Sequence, residues 1–490
     1  MPMQPLLGFT PDVEATTPGA VVDCAQFIPS LKGMKAAPSN TATAFPALSE
    51  AAQGAALLVR LDGSVRFFAA GPTKIQEGIA GAWSNVSRGL GYSVGANRWR
   101  FAQFGNDSLA ANKSAVLQRS TGAAFADLVA PKSSFCEVVA GFVILADCND
   151  SGSGVGTAFG DQPNRWWCSA INDVTSWSPS LATQCASGLL VDAPGPIRGL
   201  RRLGANVVVY KDNSIFIGTY VGAQAGVWRF DLVPGDIGCA SNEAVVNIGT
   251  AHLFIGDDDF YAFDGSRPVP IGAPVRQWFF NRLDKTLRYT IAGMYDKTSG
   301  LVWWFYPSTA SQGKLDSAIV YDPRTSRWGT ADRNVELPIQ IVLDGITYDN
   351  LGSFYSTYED LPNVAYDSPF WVAKSPVPAV IGTDHRPYTL AGTPGAWSFK
   401  TGLYGDDQAV SLVKRVNPRW VTRPPAANMT SLFTMDEGIM TTTGVPIAMS
   451  ANSGRFDILR SARWHAFKFD GSGSMEIVGI TVTAQDGGQE

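Results

Sequence analysis

The sequence predicts an all-β protein, a β-propeller of about six blades with an additional C-terminal region of β-sandwich type. The 490 residues include 50 glycines and 30 prolines, with 11% aromatic and 17% charged residues, a profile typical of short strands joined by turns. Between residues 243 and 328, apolar bursts each end at Gly, Asp, Asn or Pro, which indicates strands entering tight turns. Similar units recur from Ala55 to about residue 332 at roughly 46 residues each, close to the period of four-stranded blades.

The first segment, residues 1–50, is rich in Pro, Ala, Thr and Ser and shows little hydrophobic periodicity. Such a segment lacks the apolar pattern that folding alone requires. We therefore expect an extended arm that lies on other surfaces.

Residues 51–334 carry the propeller pattern. The unit from Gly188 shows four countable strands, with Lys211 to Asn213 at the turn of its central hairpin. Turns of the form Tyr-Asp-x-x-Ser/Thr begin at Tyr295 and Tyr321, and each precedes a strand that contains Trp. The six units begin near Ala55, Arg98, Phe135, Gly188, Glu243 and Tyr289.

Residues 335–490 show a different sequence pattern, with Pro-rich connections followed by longer stretches in which apolar and polar residues alternate. In one of these, Trp464, Phe467 and Phe469 alternate imperfectly with polar side chains, as in a strand with one buried face. We expect a second all-β domain of sandwich type, partly intertwined with the propeller, and a polar tail over residues 484–490.

The charge balance bears on possible partners. The formal net charge is −5 and the isoelectric point is about 5.4, which argues against a surface that grips phosphate through clustered Lys and Arg. Residues 1–24 lack the pattern of a secretory signal, and no window approaches the roughly 18 apolar residues of a spanning helix. We expect a soluble protein made in a cytoplasm, with no membrane span.

Six cysteines are scattered along the chain without a C-x-x-C pair. This spacing matches neither a zinc site nor a small disulfide framework, so we expect buried free thiols. They are Cys24, Cys136, Cys148, Cys168, Cys185 and Cys239.

The sequence offers little support for catalysis. His252, His385 and His465 are isolated from one another, and no nucleophile elbow, phosphate-binding loop or dinucleotide fingerprint occurs. We expect no enzymatic turnover and no cofactor.

The sharpest polar cluster is the acidic loop Asp257, Asp258 and Asp259. Three adjacent carboxylates are a candidate Ca²⁺ site, because Ca²⁺ takes oxygen ligands in flexible geometry. The alternative, which we favour, is a turn between two strands.

A glycan-directed function also stays open. Paired carboxylates for glycoside cleavage are defined by a spatial separation that sequence does not reveal. Tryptophans at strand positions can stack on sugars or pack between blades, and we favour packing because each buries a large apolar area. Those considered are Trp99, Trp166, Trp167, Trp177, Trp228, Trp303, Trp304 and Trp328.

Several stretches resemble tail proteins of short-tailed bacteriophages, the family called tail nozzle, tail tubular B-type or packaged-DNA stabilisation proteins. The resemblance spans most of the chain, and its motifs carry no catalytic residue. The stretches are PLLGFTPDVEATTPGAVVDCAQFIPSLKGMKAAP, RWWCSAINDVTSWSPSLATQ, GPIRGLRRLGANVVVYKDNSIFIGTYVG, EAVVNIGTAHLFIGDDDFYAFDGSRPVPIGAPVRQWFF, LVWWFYPS and GRFDILRSARWHAFKFDG.

The resemblance implies a structural role in the virion tail, assembled in the host bacterial cytoplasm. Six copies would form a ring with a propeller in each subunit, docked on the adaptor ring below the portal and carrying tail fibres or tailspikes. Double-stranded DNA would pass through this conduit without sequence-specific binding. An acidic protein suits that role, because Lys and Arg facing the DNA would act as a brake.

Two other classes remain alternatives at this point. One is a propeller that binds or degrades receptor glycans, and the other is a host-cell propeller that serves as an interaction module. Clustered carboxylates beside exposed tryptophans would favour the first, and the neighbouring genes would separate the second from a phage protein.

Overall fold

The structure is a computed structural model that describes residues 3–79, 81–155, 159–342, 357, 359, 376–435 and 442–489. The protein is mostly β, with its sheets in a propeller-like arrangement. One short helix, α1, covers Arg276–Arg282, and 3₁₀ turns cover Ala223–Ala225 and Lys285–Thr290. In the described part of the chain, no helix has the length and apolar character that a bilayer crossing requires.

The N-terminal arm is seated on its own chain through five short strands. They are β1 (Gln4–Pro5), β2 (Val21–Ala25), β3 (Phe27–Pro29), β4 (Met34–Ala36) and β5 (Ser39–Ala42). These strands join three different sheets, and Leu6, Phe9, Phe27 and Met34 are fully buried. The arm therefore has no fold of its own and is held by pairing with distant strands.

Five blades follow in chain order, each a four-stranded antiparallel sheet or part of one. Blade 1 is β6 (Gly54–Val59), β7 (Val65–Ala70), β8 (Ile75–Ile79) and β9 (Ala82–Asn85). Blades 2 and 3 share the long strand β13, in the order β10 (Arg100–Phe104), β11 (Asp107–Asn112), β12 (Ala115–Ser120), β13 (Ala126–Val139), β14 (Phe142–Asn149), β15 (Asp161–Cys168) and β16 (Ala186–Leu189). Blade 4 is β17 (Ile197–Leu203), β18 (Asn206–Lys211), β19 (Ile215–Gly222) and β20 (Val227–Leu232). Blade 5 is β21 (Val246–Asn247), β22 (His252–Ile255), β23 (Phe260–Phe263) and β24 (Val269–Pro270).

Two further blades include strands from the arm. Blade 6 is β25 (Ala292–Asp296), β26 (Leu301–Tyr306), β27 (Ser317–Asp322) and β28 (Arg327–Thr330), and its sheet continues into β3. Blade 7 is β29 (Val335–Val342), β30 (Pro376–Gly382) and β31 (Pro387–Gly392), with β5 as its fourth strand.

The first strands of the seven blades form a closed ring. Each of β6, β10, β13, β17, β21, β25 and β29 contacts the next, and β29 contacts β6. Within the described ranges, the ring thus has seven blades where the sequence pattern predicts about six. The domain boundary expected at residue 334 is therefore wrong, since it falls between blades 6 and 7 of one ring. The sequence does not show the seventh blade because that blade takes its outer strand from residues 39–42 and has no local four-strand repeat.

Two sheets face each other after blade 7. Their strands are β32 (Ala396–Thr401), β33 (Tyr404–Gly405), β34 (Ala409–Thr422), β35 (Ala426–Thr434), β36 (Thr442–Thr443), β37 (Ile447–Ala448), β38 (Phe456–Ala462), β39 (Trp464–Ser472) and β40 (Glu476–Gln489). One sheet has the order β2-β32-β39-β35-β36, and the other runs from blade 6 through β3-β4-β40-β34-β38. The prediction of a polar tail at 484–490 is wrong for residues 484–489, because β40 extends to Gln489 and pairs with β34.

The largest hydrophobic core joins these parts. It contains residues of the arm, blades 5 and 6 and both facing sheets. Phe27 of β3 stacks on Phe399 of β32 with ring centroids 4.6 Å apart, and Trp328 of blade 6 lies 4.7 Å from Phe260 of blade 5. Propeller and C-terminal sheets therefore share one continuous interior.

The aspartate turns of the sequence pattern are confirmed. Asp296 ends β25, and its carboxylate accepts the backbone N–H of Thr298 at 2.9 Å. Asp322 ends β27 and accepts the backbone N–H of Arg324 at 2.9 Å. An aspartate side chain that closes its own turn in this way explains why these positions mark strand ends.

Candidate functional site

The most developed polar site is the channel enclosed by the first strands of the seven blades. Its cavity volume is about 540 Å³. Among the described residues that line it, five are cationic and two are carboxylates, an excess of three positive charges in a protein of net charge −5. These charged residues are Arg98, Arg100, Arg201, Arg202, Lys297, Glu137 and Glu243.

An ion pair connects blade 2 to the segment that enters blade 5. Arg100, on β10, donates from Nε and Nη2 to the two carboxylate oxygens of Glu243 at 2.7 and 3.0 Å. Arg98 Nη1 lies 3.6 Å from the same carboxylate, and the Glu243 carbonyl accepts the N–H of Gly293 in blade 6 at 2.7 Å. Glu243 therefore ties together three blades around the channel.

The channel perturbs its titratable groups. Burial acts to raise the pKa of Glu243, but Arg100 and Arg98 outweigh it and hold that pKa well below its usual range. Burial also lowers the pKa of Arg98, while it raises the pKa of Glu137, against the attraction of Arg201. Glu243 is thus the main fixed negative charge of the channel.

Arg201 is positioned on the blade 4 side of the channel. It lies on β17 and donates from Nη2 and Nε to the carbonyl oxygen of Asn242 at 3.0 and 3.3 Å. The Asn242 side chain in turn accepts the N–H of Leu200 at 2.9 Å. Within the described residues, no carboxylate lies within 4.0 Å of the Arg201 guanidinium.

The acidic loop forms the turn between β22 and β23. Asp257 pairs with Arg288, Asp258 accepts the Tyr261 hydroxyl at 2.8 Å, and Asp259 accepts the backbone N–H of Gly272 at 3.1 Å. The shortest contacts of the three carboxylates go to different partners, while Arg276 lies 3.8 Å from both Asp258 and Asp259. Across the described ranges, no three His, Cys, Asp or Glu side chains are grouped so as to hold a metal ion.

The three histidines lie in separate places. His252 is fully buried, with Nδ1 2.8 Å from the Tyr210 hydroxyl and Nε2 2.9 Å from the Arg202 carbonyl, and burial lowers its pKa to about 4. His385 contacts Glu336 at 2.5 Å, and His465 contacts Ser411 at 3.2 Å. His252 thus links blade 5 to blade 4, His385 links the turn after β30 to β29, and His465 links the two facing C-terminal sheets.

The tryptophans considered for sugar stacking are all in the interior. The eight named in the sequence analysis are at most 6% exposed, so their rings pack within and between blades. All six cysteines are buried free thiols. Burial raises the pKa of Cys24, Cys136, Cys168 and Cys185 to about 12, which keeps these groups protonated.

Sequence reasoning did not find the channel site. Arg98 lies two positions before Arg100, the first residue of β10, and two cations at this spacing beside an inner strand are a local signal. Their partner Glu243 is 143 positions from Arg100, and Arg201 reaches the channel from another blade. Only the circular arrangement of the blades brings these groups together.

A scan of protein-family models found no match to this chain, and no curated protein matches it. Among solved structures, the chain is similar to the computationally designed Ika8 protein, with 10% identity over 72% of this chain and 100% of that chain and a TM-score of 0.37. It is also similar to a chain in the structure of BBS1N in complex with ARL6DN, with 8% identity, coverage of 74% and 98%, and a TM-score of 0.41. A third is YCF48 from Cyanidioschyzon merolae, with 10% identity, coverage of 60% and 88%, and a TM-score of 0.33. Each of these TM-scores is under 0.5.

Proposed function

We propose that this chain is a structural subunit of a bacteriophage tail, in the nozzle or lower tube, where a ring of six copies forms a conduit for genome DNA. The observation that carries the proposal is the course of the arm. Its five strands enter three sheets, which are the ten-stranded sheet that joins blade 6 to the C-terminal region, the facing C-terminal sheet and the sheet of blade 7. This construction makes propeller and C-terminal region a single rigid unit.

A rigid unit suits a conduit that conducts DNA under pressure. Domains joined by a linker move relative to one another by default. Here the connection is instead a ten-stranded sheet that runs from β25 of blade 6 to β38 of the C-terminal region. A ring of such subunits would transmit load through backbone hydrogen bonds rather than through hinges.

The DNA path in this proposal is the axis of the ring and not the channel of each propeller. The propeller channel has the volume of a small-molecule site, about 540 Å³, and the Arg100–Glu243 ion pair lies within it. The overall charge of −5 supports passage without retention along the ring axis.

The C-terminal sheets are our candidate for contacts between subunits. Many apolar side chains of the arm, among them Phe9 and Phe27, are buried within their own subunit, but Leu31 is 65% exposed, so the arm is a second candidate contact. In the C-terminal region, Val445 and Leu459 are 80% and 73% exposed. Head-to-tail contacts through such a surface close into rings when the rotation allows it.

The proposed partners are the adaptor ring below the portal, tail fibres or tailspikes, and double-stranded DNA. The protein would be assembled in the bacterial cytoplasm and function in the virion tail. We propose no enzymatic turnover, since the histidines and acidic side chains described above are engaged in contacts that hold the fold. The buried tryptophans also weigh against the glycan-directed alternative.

The proposal is tested on particles, by complementing a phage that lacks this gene with variants supplied from a plasmid. We expect Leu459→Asp to abolish incorporation of the chain into tails, while Leu61→Asp, at an equally exposed site in the turn after β6, leaves incorporation intact. Tail reconstruction without imposed symmetry should show six copies. A single copy per tail, or equal incorporation of both variants, would contradict the proposal, and polysaccharide cleavage by the purified protein would favour the alternative.

A further inference from the structure

We propose that the propeller channel is a binding site for a small phosphate-bearing anion, with Arg201 as its principal ligand. This site is independent of the tail function, because it lies inside each subunit. The starting observation is the charge imbalance of the cavity. Five cationic side chains and two carboxylates line it, whereas the whole chain carries a net charge of −5.

The imbalance is not relieved by the ion pair in the channel. Glu243 makes both of its short contacts with Arg100, and Arg98 approaches it only to 3.6 Å. Glu137 lies in the cavity lining, and the nearby Arg201 attracts its charged form. Burial opposes that attraction and raises the pKa of Glu137. Even with both carboxylates charged, the five cationic side chains leave an excess of three positive charges in the lining.

Arg201 has donor capacity for a ligand. Among the described residues, both side-chain hydrogen bonds of Arg201 go to one acceptor, the carbonyl of Asn242. A guanidinium carries five N–H donors in a planar fork, so a single carbonyl leaves most of them for a further acceptor. Phosphate oxygens match this fork, and arginine binds them through paired hydrogen bonds.

The cavity also has a suitable size. Its volume of about 540 Å³ lies within the range of small-molecule sites, roughly 300 to 1,000 Å³. Arg202 is an exposed residue of the lining, and Lys297 is exposed in the turn after β25. A multiply charged anion at Arg201 is therefore also attracted by the exposed cations Arg202 and Lys297.

The test uses the full chain with pyrophosphate as the probe. Binding is measured by calorimetric titration and by the shift in melting temperature, both at constant ionic strength. We expect saturable binding to the native protein and at least tenfold weaker binding to Arg201→Gln. The matched control is Arg229→Gln, because Arg229 lies on β20 of the same blade with a 66% exposed side chain and is absent from the channel lining. It should bind as the native protein does.

Further arms identify the ligand chemistry. ADP in place of pyrophosphate shows whether a phosphate ester enters the channel as free pyrophosphate does, and binding of either supports the proposal. Citrate binding as tightly as pyrophosphate would overturn its preference for phosphate. Absence of saturable binding, or equal weakening in Arg201→Gln and Arg229→Gln, would overturn the site itself. If Arg201→Gln does not fold, Lys297→Gln at the exposed rim replaces it, and we expect it to bind pyrophosphate about threefold more weakly than the native protein. Weakening equal to that of Arg229→Gln would again overturn the site.

Discussion

Blades 1 to 5 are built from consecutive strands, whereas blades 6 and 7 need residues from the other end of the chain. The outer strands of blades 1 and 5, β9 and β24, are largely exposed and pair on one side only. Blade 6 instead continues into β3, and blade 7 is completed by β5. The same four-stranded unit is therefore locally encoded in one part of the ring and assembled over long range in the other.

The strongest test of this difference compares two buried phenylalanines, Phe27 of the arm and Phe68 of blade 1. Both are fully buried, and each packs on another ring. Replacing either with Ala should lower the free energy of unfolding by about 4 kcal/mol. We expect Phe27→Ala to increase hydrogen exchange in blade 6 and in the C-terminal sheets together, because its ring joins them.

Phe68→Ala is the control for the loss of a buried ring. It should increase exchange in blades 1 and 2 and leave the C-terminal sheets protected. Unchanged exchange in the C-terminal sheets of Phe27→Ala would show that the arm does not couple the two regions.

The second test concerns a contact between two locally encoded blades. Arg66 of blade 1 forms a buried ion pair with Glu77, at 2.6 Å, and also donates to Ser120 of blade 2 at 2.8 Å. Glu77→Ala leaves the guanidinium buried without its carboxylate, so we expect a loss of about 3 kcal/mol in urea unfolding. We expect hydrogen exchange to rise only in blades 1 and 2. A rise in blade 6 would show that these two blades are not stabilised independently of the long-range part of the ring.

The third test uses pH at the contact between blades 4 and 5. Burial lowers the pKa of His252 from 6.5 to about 4 in the folded protein. The unfolded chain therefore takes up a proton first as the pH falls, and folding stability present above pH 6.5 is lost progressively down to about pH 4. The loss amounts to roughly 3 kcal/mol.

Urea unfolding of the native protein and of His252→Gln at pH 7 and at pH 4.5 isolates this contribution. The variant should lose less stability than the native protein over that interval. Parallel pH profiles for the two proteins would show that His252 is not the responsible group.

The smallest expected effect comes from the arm at the helix. The Asp12 carboxylate accepts the backbone N–H groups of Gln277 and Trp278 at 2.5 and 3.0 Å, at the start of α1. Asp12→Ala should lower the free energy of unfolding, measured by urea denaturation, by about 1 kcal/mol. The control Asp231→Ala removes an exposed partner of Arg229 and should lower the free energy of unfolding by less than about 0.5 kcal/mol. Equal losses in the two variants would show that Asp12 of the arm does not stabilise the start of α1.

The sequence patterns predict much of the locally encoded part of this molecule and miss the long-range part. The unit expected from Gly188 is wrong at its first strand, because Gly188 and Leu189 pair with β15 of blade 3 and blade 4 begins at Ile197. Asp296 and Asp322 close their own turns, so their strand ends are visible in a few residues. The pairing of Thr41 with Thr389 has no such signature, because register across that distance is fixed by the ring and not by a turn. The same reason hid the channel, where Arg100 and Glu243 meet only after three blades have formed.

Blade 7 also imposes an order of events on synthesis. Residues 39–42 leave the ribosome early, yet Thr41 must wait for Thr389, which is 348 positions further along the chain. Until then the nascent protein has an open ring and an unseated N-terminus, while its first blades are already able to fold. Closure is consequently a late step that depends on nearly the whole message being translated, and chains stalled before residue 387 cannot complete it.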